Sequence, residues 1–248
     1  MSEQSKLNKV AWEHRAYEFW DIRDGEPNKK AEEILKNPKE CLKNHQKYFE
    51  DISEKKIANL CGSNGRKAIP LALMEANVTV FDISDENKKY ALELAECANT
   101  SINYIVCDLY NIDTVRYNNY FDILYLEGGI LHYFNDIAKL MRILYAILKP
   151  GGKMILSDFH PFRKCVDTGG GAQGSYFDTE LHNGDVAYKK FFNKEEQETF
   201  PDCLLRFYTI SEIINSVIES CFILKKFDEQ PNFENTNIPG EFTILAEK

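Results

Sequence analysis

The chain has 248 residues, 44% of them apolar and 28% charged, with a formal net charge of −9 at neutral pH. That length can bury a full core as one domain, with or without an insertion. The acidic balance argues against a nucleic-acid partner, which needs clustered Lys and Arg, and favours a small-molecule substrate. No apolar run is long enough to span a bilayer, and Met1 to Val10 lacks the apolar centre of a secretory signal. The seven cysteines form no CxxC pair and no metal spacing with histidine. Reduced thiols, no bound metal and a cytoplasmic location are the expectation.

Residues 1–52 read as helical. Trp12, Ala16, Phe19 and Trp20 fall on one face, Gly25 and Pro27 interrupt, and Ala31, Ile34 and Leu35 form a second stripe before Pro38. Leu42, His45, Phe49 and Ile52 mark a third helix. These aromatics either dock the segment on the core or, at Tyr17 and Trp20, belong to a lid that dries a ligand pocket. From Ile57 the chain reads as strand, tight loop (Cys61-Gly62-Ser63-Asn64-Gly65) and helix. Pro70 is cheap only in a first turn, which places the helix start near Arg66 with its amides facing the loop. Val78 to Phe81 is a second strand closed by Asp82. Such a βαβ unit suits an adenosine-containing ligand: small residues let the backbone approach, and the carboxylate accepts from both ribose hydroxyls.

Ser84 caps a helix whose buried face is Ala91, Leu94, Ala95 and Ala98. Tyr104 to Cys107 is the third strand, ending at Asp108, and Tyr120 to Leu126 the fourth, ending at Glu127-Gly128-Gly129. Asn135 or Asp136 caps a helix with Ile137, Leu140, Met141, Leu144 and Leu148 inward. It stops at Lys149-Pro150-Gly151-Gly152, before a fifth strand, Lys153 to Ser157. The alternation predicts an α/β, doubly wound, mainly parallel sheet that binds ligands at the carboxyl ends of its strands, where Asp82, Asp108, Glu127 and Asp158 lie. Between His160 and Phe207 the alternation lapses into an insertion. It holds a flexible Gly169-Gly170-Gly171 turn and short antiparallel strands at Gly174–Phe177 and Val186–Phe192, around Asn183-Gly184-Asp185. Thr209-Ile210-Ser211-Glu212 is a capping box for a helix carrying Ile213, Ile214, Val217 and Ile218, before two last strands at Cys221–Phe227 and Phe242–Ala246. The expected division is an N-terminal helical cap, 1–52, and an α/β domain, 53–248, with a substrate-side insertion at 160–207.

The ordered set of the Ile57–Gly65 loop, Asp82, Cys107-Asp108, Phe121-Asp122-Ile123-Leu124, Leu131-His132-Tyr133 and Leu148 to Lys153 resembles the class I S-adenosylmethionine-dependent methyltransferases. More narrowly it resembles their small-molecule branch, which includes quinone-biosynthesis-type enzymes. The resemblance implies a seven-stranded Rossmann-like sheet, S-adenosylmethionine as cofactor and S-adenosylhomocysteine as product. It assigns Cys61, Gly62, Ser63, Asn64 and Gly65 to the methionine part of the cofactor, Asp82 to the ribose and Ile83 to the adenine face. Asp108 would accept from the adenine amino group with Leu109 alongside, and the backbone at Glu127 and Gly128 would face the cofactor's amino group; on the lid reading of the N-terminal rings, Tyr17 and Trp20 would cover it. The loop departs from the family's acidic-x-G-x-G-x-G: Asn59 stands for the acid, Cys61 and Ser63 for two glycines, and only Gly65 matches. A neutral Asn59 removes a charge-assisted contact to the ammonium group, which bears on cofactor affinity.

The implied reaction passes the sulfonium methyl to an O, N or C nucleophile of a small molecule by in-line displacement. Alignment and drying of the site do most of the work. A hydroxyl or protonated amine needs a base as well; His160 and His132 are the candidates, with Glu127 or Asp158 behind them. Each histidine also has a plain reading as a cap or core residue. Arg206 and Tyr208 join them as candidate acceptor contacts, although a charge at a surface turn is common. His14, His45 and His182 read as structural, and Lys189 and Lys190 as solvated. Two rival readings remain. A nicotinamide-dependent oxidoreductase would need G-x-G-x-x-G, a spacing the loop lacks. A non-catalytic relative would keep the fold and lose the cofactor through the loop changes.

Overall fold

Nine strands and seven principal helices organise the described part of the chain, residues 1–166 and 174–248 of a computed structural model. Its Cα packing separates two units, 1–112 with 184–203, and 113–183 with 204–248. The first unit begins with α1 (Glu3–Glu13), α2 (Ala16–Asp24), α3 (Pro27–Lys36) and a 3-10 stretch, Lys39–Tyr48. It continues with β1 (Lys56–Leu60), α4 (Ala68–Leu73), β2 (Asn77–Asp82), α5 (Asp85–Cys97) and β3 (Asn103–Val106). β1 pairs in parallel with β2, and β2 with β3. Ile57, Ala58 and Leu60 are fully buried, as expected of a strand covered on both faces. Ser84 caps α5 by accepting from the Asn87 N–H. Glu13 at the end of α1 accepts from the Asp85 and Glu86 N–H groups at 2.8 and 3.2 Å, placing a carboxylate at the positive end of α5.

Three local expectations in this unit are corrected. The Trp12–Trp20 stripe is two helices, because Arg15 adopts φ 55 between them. The Arg15 guanidinium is held there by Glu18 and Glu196 and lies over the Phe192 ring. The third helix is replaced by the 3-10 stretch, kinked where Lys43 takes φ 52. The helix after the loop starts at Ala68 and has six residues, so Pro70 stays within its first turn. A fourth correction concerns Val186–Phe192, expected as a strand. It forms a 3-10 turn at Lys189–Phe191, followed by one helical turn at Lys194–Gln197. Its aromatics dock on the N-terminal helices instead: the buried Tyr188 ring stacks on Phe19 at 4.7 Å between centroids, and its hydroxyl reaches the Ala11 and His14 carbonyls at 2.9 and 2.8 Å.

The second unit contains β4 (Phe121–Glu127), α6 (Ile137–Ile147), β5 (Leu148–Phe159), β6 (Leu181–Gly184), β7 (Cys203–Arg206), α7 (Ile210–Glu219), β8 (Ile223–Pro231) and β9 (Pro239–Glu247). β4 and β5 are parallel, while β9 runs antiparallel to both β5 and β8. Asp136 caps α6, and Thr209 with Glu212 forms the capping box of α7. The insertion's two-stranded sheet is β6 with β7. Gly174–Phe177, expected as a strand, is bend and turn, and the Gly169–Gly171 turn lies outside the described residues. The main sheet has seven strands in the order β3-β2-β1-β4-β5-β9-β8, an α/β architecture of the Rossmann-like kind with N-terminal helices. Among the described residues, no helix is long and apolar enough to cross a membrane.

Candidate functional site

In the first unit the chain between β1 and α4 turns sharply, and its small residues decide how. Cys61 and Ser63, which stand where glycines were expected, both adopt the left-handed conformation at φ 51 and 50, as Gly65 does at φ 78. The glycine-like path is thus kept by residues with a Cβ, at a cost of about 1–2 kcal/mol each. Ser63 is clamped at both ends of its backbone: its N–H donates to Asp82 Oδ2 at 3.0 Å, and its carbonyl accepts from the Tyr104 hydroxyl at 2.8 Å. A Cβ on Gly62 would meet Asn59 Oδ1 at 2.6 Å and Val80 Cγ1 at 2.7 Å, so glycine is required there because Asn59 fills the space. Asn64, fully buried, donates to Asp24 at the end of α2 at 2.9 Å.

Asp82, at the end of β2, is buried with its carboxylate aimed back at the loop. Oδ1 accepts from the Ser84 N–H and from Asn87 Nδ2, each at 3.0 Å, and Asn87 Oδ1 accepts the Trp20 indole N–H at 2.7 Å. Trp20 is therefore joined to Asp82 through one buried amide whose orientation is set by both partners. Burial pushes the Asp82 carboxyl up from its ordinary value, against hydrogen bonds from Asn87, Ser84, Ser63 and Ile83 that favour the ionised form. Tyr17 donates to Glu93 on α5 and meets Tyr90 edge-on. Asp108 caps the turn after β3, with Oδ1 accepting from the Tyr110 N–H at 3.0 Å and Leu109 buried beside it. Its Oδ2 is buried with no hydrogen-bond partner among the described residues, and so is the Ser63 hydroxyl. Two unsatisfied polar atoms, after the strands that flank β2 on either side, are costly unless a ligand completes them. Their chemistry, a carboxylate oxygen and a hydroxyl, fits an amino-bearing, adenosine-like group.

In the second unit β4 ends at Glu127, and Gly128 turns the chain at φ 105 with open space where its Cβ would stand. Asp158, near the end of β5, accepts from the Ile130, Leu131 and Phe159 N–H groups at 2.9, 2.7 and 2.6 Å. Burial nevertheless raises its carboxyl to about 6. It lines a cavity of about 280 Å³ together with His132, His160, Lys164, Phe207 and Tyr208. Burial and the charge of Lys164 lower His132 to about 3, so its imidazole is neutral. His160 has both ring nitrogens engaged: Nδ1 accepts from the Phe162 N–H at 3.1 Å, and Nε2 faces Glu229 at 3.0 Å. This fixes the proton on Nε2. Tyr208 lends its ring to the cavity and donates its hydroxyl to the Phe134 carbonyl at 2.6 Å. Arg206 is paired with Glu212 at 2.7 Å and stacked on Tyr208, outside the cavity lining.

Sequence reasoning missed Asn87, Lys164 and Arg163. Asn87 carried a weak signal, a polar residue three beyond an N-cap on a face that packs inward. The two cations follow the strand-end Asp158 closely but have no motif.

Residues 60–156 match a family model described as a methyltransferase domain. The chain is 33% identical over 100 residues to phosphoethanolamine N-methyltransferase 1 of Arabidopsis thaliana, covering 40% of this chain and 20% of that protein. It is 27% identical over 122 residues to the ubiquinone biosynthesis O-methyltransferase of Rickettsia canadensis, covering 49% and 50%. The matched region thus spans a fifth to a half of these relatives. Among solved structures, an S-adenosylmethionine-dependent methyltransferase from Mesorhizobium loti superposes with a TM-score of 0.65 at 19% identity, covering 86% of this chain and all of that one. At that identity the likeness speaks for the fold alone.

Proposed function

We propose that this chain, a class I S-adenosylmethionine-dependent methyltransferase, moves the cofactor's methyl to an O, N or C nucleophile of a small molecule and releases S-adenosylhomocysteine. The observation that carries the reading is the pair of unsatisfied buried atoms, Asp108 Oδ2 and Ser63 Oγ, beside the strand-end Asp82. Asp108 would accept from the adenine amino group with Leu109 along the ring, and Asp82, held by Asn87, would take the ribose with Ile83 nearby. The Cys61–Gly65 loop would receive the methionine end. Residues 1–52 would serve as the cover of the first unit's loop, through the Trp20–Asn87 and Asn64–Asp24 hydrogen bonds.

Bound cofactor supplies a sulfonium-activated methyl group that needs no further activation. The protein's share is orientation, exclusion of water and, for a hydroxyl or ammonium acceptor, removal of a proton. Asp158 suits that last task best. Its carboxyl, raised to about 6, is ionised at neutral pH yet close enough to neutrality to take a proton, and Oδ1 accepts only one N–H. His132, lowered to about 3, would act as a neutral contact to the acceptor. His160, with both nitrogens engaged, would position the segment after β5 and would have to give up the Phe162 N–H to accept a proton. The test is S-adenosylhomocysteine release from S-adenosylmethionine across a panel of small hydroxyl, amine and carbon acids. Turnover with at least one class, abolished by Asp82→Ala, is the expected result; no binding of the cofactor and no turnover on any class would favour the non-catalytic relative.

A further inference from the structure

We propose that the acceptor carries a carboxylate or phosphate beside a flat apolar part, and that Lys164 and Arg163 receive the anion at the cavity after β5. This rests on reading that cavity as the acceptor site. Its walls supply the apolar half: Leu131, Phe159, Phe207 and Tyr208 present an aliphatic chain and three rings. At about 280 Å³ it falls just below the range of ligand pockets, roughly 300–1,000 Å³, and so suits a small acceptor.

The charged half follows from which groups are already paired. Arg206 has Glu212, His160 has Glu229, and His182 has Asp178 at 2.8 Å. Asp158 is surrounded by N–H groups. Lys164 and Arg163 differ: neither has a carboxylate at ion-pair distance among the described residues, and each lies instead over an aromatic face, Lys164 on Phe207 and Arg163 on Phe159. A ring occupies one side of a cation and leaves its other N–H donors unused. Lys164 is also half-buried, and the loss of water lowers it to about 8 despite the pull of Asp178. In a chain of net charge −9, two cations without a carboxylate partner among the described residues, on the rim of an aromatic-walled cavity, form a recognition pattern for an aromatic or planar acid.

The experiment titrates benzoate, phenyl phosphate and neutral benzamide into the full chain, alone and saturated with S-adenosylhomocysteine. The anions should bind at least about tenfold more tightly than benzamide, the scale of one charge-assisted hydrogen bond. Lys164→Met should remove most of that preference, Lys164→Arg should retain it, and affinity for S-adenosylhomocysteine should be unchanged in both. The benzoate and phenyl phosphate arms separate the two anion chemistries. The proposal is overturned if anions have no advantage over benzamide, whether all bind alike or none binds. It is also overturned if the advantage survives in a folded Lys164→Met, Arg163→Gln double variant. Failure of S-adenosylhomocysteine to bind would instead remove the methyltransferase reading, while the anion preference of the cofactor-free chain would still decide the cavity's chemistry.

Discussion

Replacing Ser63 by glycine should stabilise the ligand-free protein and weaken its hold on the cofactor. Ser63 sits at φ 50, a conformation costing about 1–2 kcal/mol for a residue with a Cβ. Its buried hydroxyl has no partner among the described residues, worth about 1–3 kcal/mol more. Glycine relieves both and returns roughly 0.4–1 kcal/mol through greater freedom of the unfolded chain. The net gain is about 1–5 kcal/mol, and at about 2–4 °C per kcal/mol for a chain of this size the melting temperature should rise by at least about 2 °C. Cys61→Gly, at φ 51 with a partly exposed thiol, relieves strain alone and should gain about 0–1.6 kcal/mol. Ser63→Ala keeps the strain and removes the hydroxyl, so it should fall between wild type and Ser63→Gly. Melting is followed with and without saturating S-adenosylhomocysteine; the upward shift caused by ligand should shrink in Ser63→Gly and Ser63→Ala and persist in Cys61→Gly. A lower melting temperature for ligand-free Ser63→Gly would refute the reasoning.

Asn87→Leu leaves the Trp20 indole N–H and one Asp82 oxygen short of a partner, and should cost about 2–4 kcal/mol and at least about fivefold in S-adenosylhomocysteine affinity. An unchanged affinity in a folded variant would remove Asn87 as the residue that positions Asp82. Tyr188→Phe deprives the Ala11 and His14 carbonyls of a donor and should cost about 1–3 kcal/mol, with faster proteolysis near Arg15 as the N-terminal helices loosen. The pH profile of kcat/KM should be bell-shaped. A base must be unprotonated, so the rate rises with pH through the Asp158 value of about 6, and a cation must be protonated, so it falls through the Lys164 value of about 8. A profile with no inflection near 6 on a hydroxyl acceptor would exclude Asp158 as the proton acceptor.

What the sequence conveyed well was whatever is written in neighbouring residues. The caps at Ser84, Asp136 and Thr209 were legible because a cap bonds a backbone group three residues away. The parallel strands were legible because burial on both faces makes them continuous apolar runs. Asp82 and Asp108 were placed at strand ends by the same logic. The errors share one cause, the use of apolar pattern for packing other than the kind it suggests. Tyr188 and Phe192 alternate as a strand would, but they pack on Phe19 and Arg15. The break at Arg15 has no glycine or proline to announce it, because the left-handed turn is held by Glu18 and by Glu196, which is remote in sequence. The Trp20–Asn87–Asp82 chain and Lys164, which has no carboxylate partner among the described residues, were equally hidden, since each depends on what the fold brings together. The glycine-poor loop was read correctly as small replacements for glycine; that they keep glycine's φ, and that Asn59 makes Gly62 necessary, needed coordinates.

The central claim is that the first unit's strand ends, Asp82 and Asp108 with the Cys61–Gly65 loop, form a cofactor site. Calorimetric titration of the full chain with S-adenosylmethionine, S-adenosylhomocysteine and NAD tests it directly, with Asp108→Ala in parallel. Saturable one-to-one binding of the first two, no comparable binding of NAD, and an affinity at least about tenfold lower in the variant is the predicted result. Preference for NAD, or no binding of either S-adenosyl compound to the folded chain, would contradict it.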